Sequence, residues 1–343
     1  MRRLLNTLFV TTDGAYLARE GESVVVRHEQ QERLRVPMHT LGGIVCFGRV
    51  ACSPFLLGFC GEQGVALTHL SANGRFLARL EGPVSGNVLL RRRQYRMADE
   101  SKGAAGIARA VLAAKVANAR TVLLRGARDS QKHESGLRLR SAANALARQI
   151  QRLEDAAELP RLRGIEGDSA KLYFSAFNDL ITTQKEAFSF SGRSRRPPLD
   201  NINALLSLLY TLLVHDVSAA LQSVGLDPAV GFLHSDRPGR PSLALDLVEE
   251  LRPVLADRLA LTLVNRRQLG PADFYRTESG GVVLRDDPRK QLLIAYQKRK
   301  QEELRHPFTG EKIAFGLLPH VQALLLARHL RGDMDAYPAF FWK

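Results

Sequence analysis

Over the first 84 residues the apolar positions fall in short runs, not at helical intervals. Leu4-Leu5, Thr7-Leu8-Phe9-Val10, Tyr16-Leu17, Ser23-Val24-Val25-Val26 and Gly43-Ile44-Val45-Cys46-Phe47 are β-prone. Asp13-Gly14, Glu20-Gly21 and Gly48 separate them as turns. Val65 to Thr68 and Arg75 to Leu77 flank Asn73-Gly74, the pattern of a hairpin. One helix interrupts the strands: Ser53 caps it, Pro54 opens it, Leu56, Leu57 and Cys60 form its apolar side, and Gly61 and Gly64 end it. From Val88 onward the apolar period becomes helical. After the Ala-rich stretches up to Ile150, helices are predicted over 166–186, 201–224, 242–265, 289–304 and 319–331. Breaks fall at Pro160, 191–198, 225–241, Gly270-Pro271 and 306–310. The predicted fold is α+β: a small β-rich N-terminal domain with one helix (1–84), a linker (85–90) and a larger all-α C-terminal domain (91–343).

Composition adds a preferred partner. The 343 residues are 45% hydrophobic, enough to bury real cores, and carry a net charge of +14. Between Arg91 and Arg152 fifteen Lys and Arg face four Asp and Glu, so most of that excess lies in one stretch. A track for a phosphate backbone is one reading, and a solvated helix face is the other. The three cysteines, Cys46, Cys52 and Cys60, form no CxxC, and no His pair is spaced to complete a zinc site, which fits buried thiols in a reducing compartment. The apolar part of MRRLLNTLFV is too short for a signal peptide, and the run Ala204 to Val214 is about half a membrane span. A soluble, cytoplasmic protein with no membrane partner is expected.

Candidate chemistry concentrates in Gly231–Arg252, GFLHSDRPGRPSLALDLVEELR. His234 lies in a turn-rich run, and the helix after Ser242 carries Asp246, Glu249 and Glu250 at i, i+3 and i+4, on one face. Like charges so placed repel. Divalent metal binding is the functional reading of that face, and a solvated acidic surface is the plain one. Upstream, Arg163-Gly164-Ile165-Glu166-Gly167 places Glu166 at a helix start between two glycines, which suggests close backbone approach or an unusual turn. An acid there also suits the helix dipole. Glu166, His234 and the later acids together offer carboxylate oxygens and one imidazole nitrogen, a set for Mg2+ or Mn2+ and not for a closed zinc site. In a basic protein that points to phosphodiester chemistry. Arg237, Arg240 and Arg252 are candidate phosphate contacts, with Arg252 alternatively pairing with Glu249 or Asp246. Lys171 is a further candidate, as are Arg195 and Arg196 in the loop SFSGRSRRPP, which reads equally as a mobile basic loop or a disordered surface linker. Tyr16 reads as strand core.

R-G-I-E-G followed by GFLHSDRPGRPSLALDLVEELRP resembles the CRISPR-associated endonuclease/integrase family, the universal adaptation protein of CRISPR systems. The likeness continues through Leu261–Gln268 (LTLVNRRQ), Ala295–Lys300 (AYQKRK) and the tail from Leu330 to Lys343, and its wording is closest to the subtype I-C branch. The resemblance implies a metal-dependent DNA endonuclease and integrase that inserts captured foreign DNA into the repeat array. The 3′-hydroxyl of the fragment is then the nucleophile, which accounts for the lack of a Ser/His/Asp or Cys/His set. It further implies Glu166, His234 and Glu249 as metal ligands and Asp246 as a nearby acid, supporting or alternate. Many relatives carry Asp where Glu249 stands; either binds through carboxylate oxygen. Glu250 has no assigned part and is ranked last. The implied partners are double-stranded and partly single-stranded DNA, a second copy joined through the β-rich domain, and a small ferredoxin-like subunit whose dimer bridges two such dimers into a heterohexamer. A stand-alone metal-dependent nuclease acting on branched DNA in repair, and a non-catalytic DNA scaffold, are the competing readings.

Overall fold

The computed structural model describes residues 5–72, 74–82 and 88–342. Leu4, Asn73 of the hairpin turn, positions 85–87 of the linker and Lys343 lie outside the described residues. The chain divides into two compact units.

The first unit contains β1 (Asn6–Val10), β2 (Tyr16–Glu20), β3 (Ser23–His28), β4 (Gln31–Pro37), β5 (Leu41–Phe47), β6 (Ala51–Cys52), α1 (Pro54–Gln63), β7 (Ala66–Leu70) and β8 (Phe76–Arg79). They form two four-stranded sheets, ordered β1-β5-β7-β8 and β4-β3-β2-β6. In the first sheet β1, β5 and β7 run parallel and β8 closes it antiparallel. Leu17, Val24, Ile44, Cys46, Leu56 and Leu67 belong to one buried cluster with α1. Ser53 caps α1 as expected, its Oγ accepting from Leu56 N–H at 3.2 Å, and Gly64 ends the helix in the left-handed region at φ +66°. β4 was not legible in the hydrophobic pattern because its side chains are almost all exposed. Its antiparallel ladder to β3, from Ser23↔Pro37 to His28↔Gln31, holds it, and on its exposed face Arg35 pairs with Glu20 and lies 2.7 Å from Glu32. Tyr16 is 42% exposed, so the strand-core reading of that residue does not hold.

A second helix also belongs to this unit. Arg285–Glu302 groups with it, although the hydrophobic pattern alone assigns that stretch to the C-terminal domain. Its helix, Asp286–Gln301, buries Leu292, Leu293 and Tyr296, and Arg289 donates to the Ala72 carbonyl. The pairing spans more than two hundred residues, which no local pattern reveals.

The second unit holds α2 (Val88–Asp99), α3 (Ser101–Asp129), α4 (His133–Glu154), α5 (Leu159–Ser175), α6 (Asn201–Ser223), α7 (Ser242–Leu251) and α8 (Arg258–Asn265). It is not all-α. Two short antiparallel hairpins, β9 (Phe274–Arg276) with β10 (Val282–Leu284) and β11 (Glu303–Arg305) with β12 (Lys312–Ala314), interrupt it. Three-residue strands carry too little alternation to show in the sequence. The helix Asp286–Gln301 of the first unit is α9 in chain order, and α10 (Leu318–Arg331) completes the set.

α3 runs 29 residues and packs on α4, α5 and α7. Its buried alanines let these neighbours close in. α6 is long and apolar enough to cross a membrane by length and composition alone, yet more than half of its apolar window is buried inside the fold, as expected of a core helix. Two helix boundaries differ from expectation. The helix containing Glu166 begins at Leu159, with Pro160 in its first turn, and ends at Ser175 instead of running to 186. Proline without an N–H is tolerated in that first turn, so it opens the helix instead of breaking the chain. The helix expected over 242–265 is interrupted by a π-helical turn, Arg252–Asp257, containing Pro253. A π turn inserts an extra residue per hydrogen-bonded ring and re-aims the helix beyond it.

Candidate active site

Glu166 sits mid-way along α5, not at its start. Gly164 and Gly167 have open space where a Cβ would stand, so neither is there for internal packing. Across from it, α7 presents Glu249, 2% exposed. Between them stands Lys115 of α3, which by sequence is only one member of the basic track. Its Nζ bonds to Glu166 and lies 2.7 Å from Glu249 Oε2. Arg252, on the first π residue, sets Nη1 2.5 Å from Glu249 Oε1 and stacks its guanidinium on Tyr210 at 4.7 Å. Of the two readings of Arg252, the ion pair with Glu249 is the one the structure takes. Burial opposes charge on Glu249, but Arg252 and Lys115, joined by His234, outweigh it and hold its carboxyl down at about 2. Burial likewise opposes the Lys115 ammonium, and Glu249 and Glu166 reverse that and raise its pKa. Glu249 Oε2 faces the Lys115 ammonium and Oε1 faces Arg252, so each oxygen has its own cation.

His234 is placed by Asp246. One oxygen of that carboxylate accepts from the His234 N–H at 3.0 Å and lies 2.7 Å from Nδ1; the other accepts from Phe232 and Leu233 N–H at 2.6 and 2.9 Å. A carboxylate so used holds the loop; a hydrogen on Nδ1 then leaves Nε2 as the free nitrogen. Gly231 is required here, since a Cβ would come within 2.8 Å of Asp246 Oδ2. Arg163 of the R-G-I-E-G run ties α5 to the same loop, its Nε donating to the Leu233 carbonyl at 2.7 Å.

The three acids of α7 share a face, yet none is solvated: Asp246, Glu249 and Glu250 are 1%, 2% and 0% exposed. Glu250, ranked last by the sequence, anchors the C-terminal segment. It accepts from the Tyr337 hydroxyl, from Phe340 N–H at 2.5 Å and from Gln322 Nε2 at 3.0 Å. Burial pushes its carboxyl up to about 7 against those hydrogen bonds. Asp257, at the end of the π turn, is raised by burial to about 6 while Tyr210 and Tyr173 donate to it at 2.6 and 3.0 Å.

A cleft lined by Lys115, Glu166, Glu249, Arg252, Arg193 and Arg195 opens beside these groups. Arg193, missed in the sequence, fastens the SFSGRSRRPP loop: it donates to Asn203 Oδ1 at 2.6 Å, and Ser194 N–H reaches the same oxygen at 3.0 Å. The loop is therefore tied to α6. Arg195 and Arg196 are exposed, and only Arg195 of the two lines the cleft. Lys171 is exposed and five residues past Glu166, about 140° round the helix, so it faces elsewhere. Arg237 is exposed in the turn closed by Arg240 N–H on its carbonyl at 3.0 Å, and Arg240 is half-buried. In the basic track, Arg138 is held by Asp179 and Arg125 stacks on Trp342, whereas Arg92, Arg96, Lys102, Arg140 and Arg148 are exposed.

Glu249, held ionised, lines the cleft with Glu166, Lys115 and three arginines, and the His234 imidazole lies near enough to act on Glu249's charge; such a set suits cations and phosphates. Fold and site thus define a class: a basic α+β protein whose helical unit carries the machinery of an enzyme acting on phosphodiesters. The profile described as "CRISPR associated protein Cas1" matches residues 8–298. The chain is 56% identical over 343 residues to "CRISPR-associated endonuclease Cas1 1" of Chlorobaculum tepidum, covering all of both chains. Its fold is that of a casposase bound to integration product (TM-score 0.84, 21% identity, 99% of this chain and 95% of that one). It is also that of a chain in a Cas6-RT-Cas1–Cas2 complex (TM-score 0.83, 23% identity, 99% of this chain and 36% of that one). The chain belongs to the CRISPR-associated Cas1 family, whose curated relatives are CRISPR-associated endonucleases.

Proposed function

We propose that Glu166, Glu249 and Nε2 of His234 hold one Mg2+ or Mn2+, and that DNA is cut and joined in the adjoining cleft. The observation that carries this reading is the ammonium of Lys115 set between two carboxylates, Glu166 and the buried Glu249. A place that already demands positive charge, lined by carboxylate oxygens with the His234 imidazole acting on Glu249 from nearby, fits a hard divalent ion. When bound, the ion supplies Lewis-acid polarisation of the scissile phosphate. The protein's own residues do the rest. Asp246 fixes the tautomer and aim of His234. Arg252 and Lys115 keep Glu249 ionised. Arg195, with Arg237 and Arg240, grips the phosphate backbone. In integration the incoming 3′-oxygen forms a bond to phosphorus and the repeat strand's own 3′-oxygen leaves, so no side-chain nucleophile is needed.

The chain works in this reading as a cytoplasmic homodimer with a small ferredoxin-like subunit, assembled as a heterohexamer on partly single-stranded duplex DNA. The fold shared with a chain of a Cas1–Cas2 complex supports that partner. We place it on the subtype I-C branch from the wording of GFLHSDRPGRPSLALDLVEELRP. The test is integration of a fragment with free 3′-hydroxyls into a repeat-bearing plasmid, with and without Mg2+ or Mn2+. Glu166→Ala and His234→Ala should abolish product while duplex binding persists. Full activity of His234→Ala would remove the assignment, and cutting without joining would favour a nuclease of branched DNA.

A further inference from the structure

The β-rich unit gathers a second set of donors that the active site does not use. Sγ of Cys46, Sγ of Cys52 and a ring nitrogen of His69 lie within 4.8 Å of one another. Along the chain the two cysteines form no metal-binding motif, and the histidine is well separated from both. Three strands bring them together. Cys46 on β5 and His69 on β7 are register partners in one sheet, so their side chains share a face. Cys52 ends β6 in the other sheet. The chain passes between sheets through Gly48, at φ +75°, whose N–H is bonded to the Leu70 carbonyl at 2.9 Å. Asp13 accepts from Arg49 N–H at 2.9 Å, and Ala51 N–H bonds to the Ala15 carbonyl at 3.0 Å. The crossing is pinned at both ends, so the three donors are held close before any ligand arrives.

We propose that Cys46, Cys52 and His69 form a binding site for one thiophilic divalent ion of the Zn2+ type. Two thiolates and an imidazole are a soft donor set, which selects such an ion over Mg2+ or Mn2+. Tetrahedral zinc places its donors about 3.7 Å apart. Cys52 Sγ and His69 Nε2 already stand 3.9 Å apart, so side-chain rotation suffices. Cys46 is fully buried, whereas Cys52 and His69 are half-buried and form the rim by which an ion enters. The fourth position is left to water. The ion ties the β1-β5-β7-β8 sheet to the β4-β3-β2-β6 sheet and stabilises the unit by mass action.

The test uses the full chain carrying Glu166→Ala and His234→Ala, so that the proposed catalytic ligands cannot contribute. Titration with Co2+ should give a thiolate-to-cobalt absorption that saturates at one equivalent and disappears on adding Zn2+. Adding Cys52→Ala or His69→Ala should weaken binding by about tenfold or more and abolish the rise in thermal midpoint that Zn2+ produces. Cys46 is left intact because its burial makes it a folding residue, and circular dichroism confirms that the rim variants fold. The proposal is overturned by a lack of thiolate absorption, by its persistence in Cys52→Ala, or by thiol counting that finds Cys46 and Cys52 joined in a disulfide.

Discussion

Glu249 and Glu250 are adjacent on α7 and equally shielded from water, and the two regions they enter treat a carboxylate in opposite ways. Glu249 points among Lys115, Arg252 and His234 and is held at about 2. Glu250 points among Tyr337, Gln322 and the Phe340 N–H, where burial lifts it to about 7. Burial alone penalises charge, and neutral donors compensate only in part. Fixed cations reverse the balance. The first region is built to keep a negative charge facing a cleft, and the second to fasten a chain end with a group that is half-protonated near neutrality.

The comparison breaks most visibly at Glu249. Glu249→Ala takes from Arg252 its carboxylate partner and leaves Lys115 with Glu166 alone, and should lower unfolding free energy in urea by about 3 kcal/mol, with integration lost. Glu250→Gln should leave integration within about threefold, since the amide oxygen can still accept from Phe340 N–H and Gln322 Nε2 while its NH2 donates to the Tyr337 hydroxyl. Equal loss of activity in both would erase the distinction. Next in size is Lys115→Ala, which leaves Glu166 and Glu249 without the ammonium between them. Its thermal midpoint should fall in EDTA and recover on adding Mg2+, with a larger rise than the unsubstituted chain shows.

A pH series sharpens the same contrast. Glu250 binds its proton more tightly folded than unfolded, so its contribution weakens as pH rises from 4.5 to about 7, by about 3 kcal/mol in all. Glu250→Gln should flatten that decline. For Glu249 the sign is opposite: its contribution is complete above 4.5 and is lost as pH falls toward 2. The smallest effect is on the basic helices. Arg140→Gln with Arg148→Gln should reduce the slope of log affinity against log salt by about 0.9 for each DNA phosphate no longer neutralised. Arg138→Gln, already paired with Asp179, should leave the slope unchanged.

Legibility followed distance along the chain. The α7 acids, His234 in its turn and the Ser53 cap could be read because each depends on residues a few positions away. Lys115 could not, because its partners lie 51 and more residues on, and by composition it is one cation in a basic stretch. Asp246 was visible as an acid, but its hold on three backbone N–H groups needed the loop folded back over α7. Glu250 was ranked last for the same reason: Tyr337 and Phe340 are some 90 residues away. β4 escaped because its side chains are exposed and its order comes from the backbone ladder to β3, which leaves no apolar pattern.

By itself, then, the sequence determined the change from strands to helices, the basic bias, and the motifs that place acids and a histidine in one family of sites. These rest on periodicity and composition, which act locally. Only the tertiary structure decided which acid stays charged, which lysine stands between two carboxylates, and that Cys46, Cys52 and His69 meet. Charge interaction, desolvation and coordination act through space over a few ångströms, and only folding brings distant residues within that range.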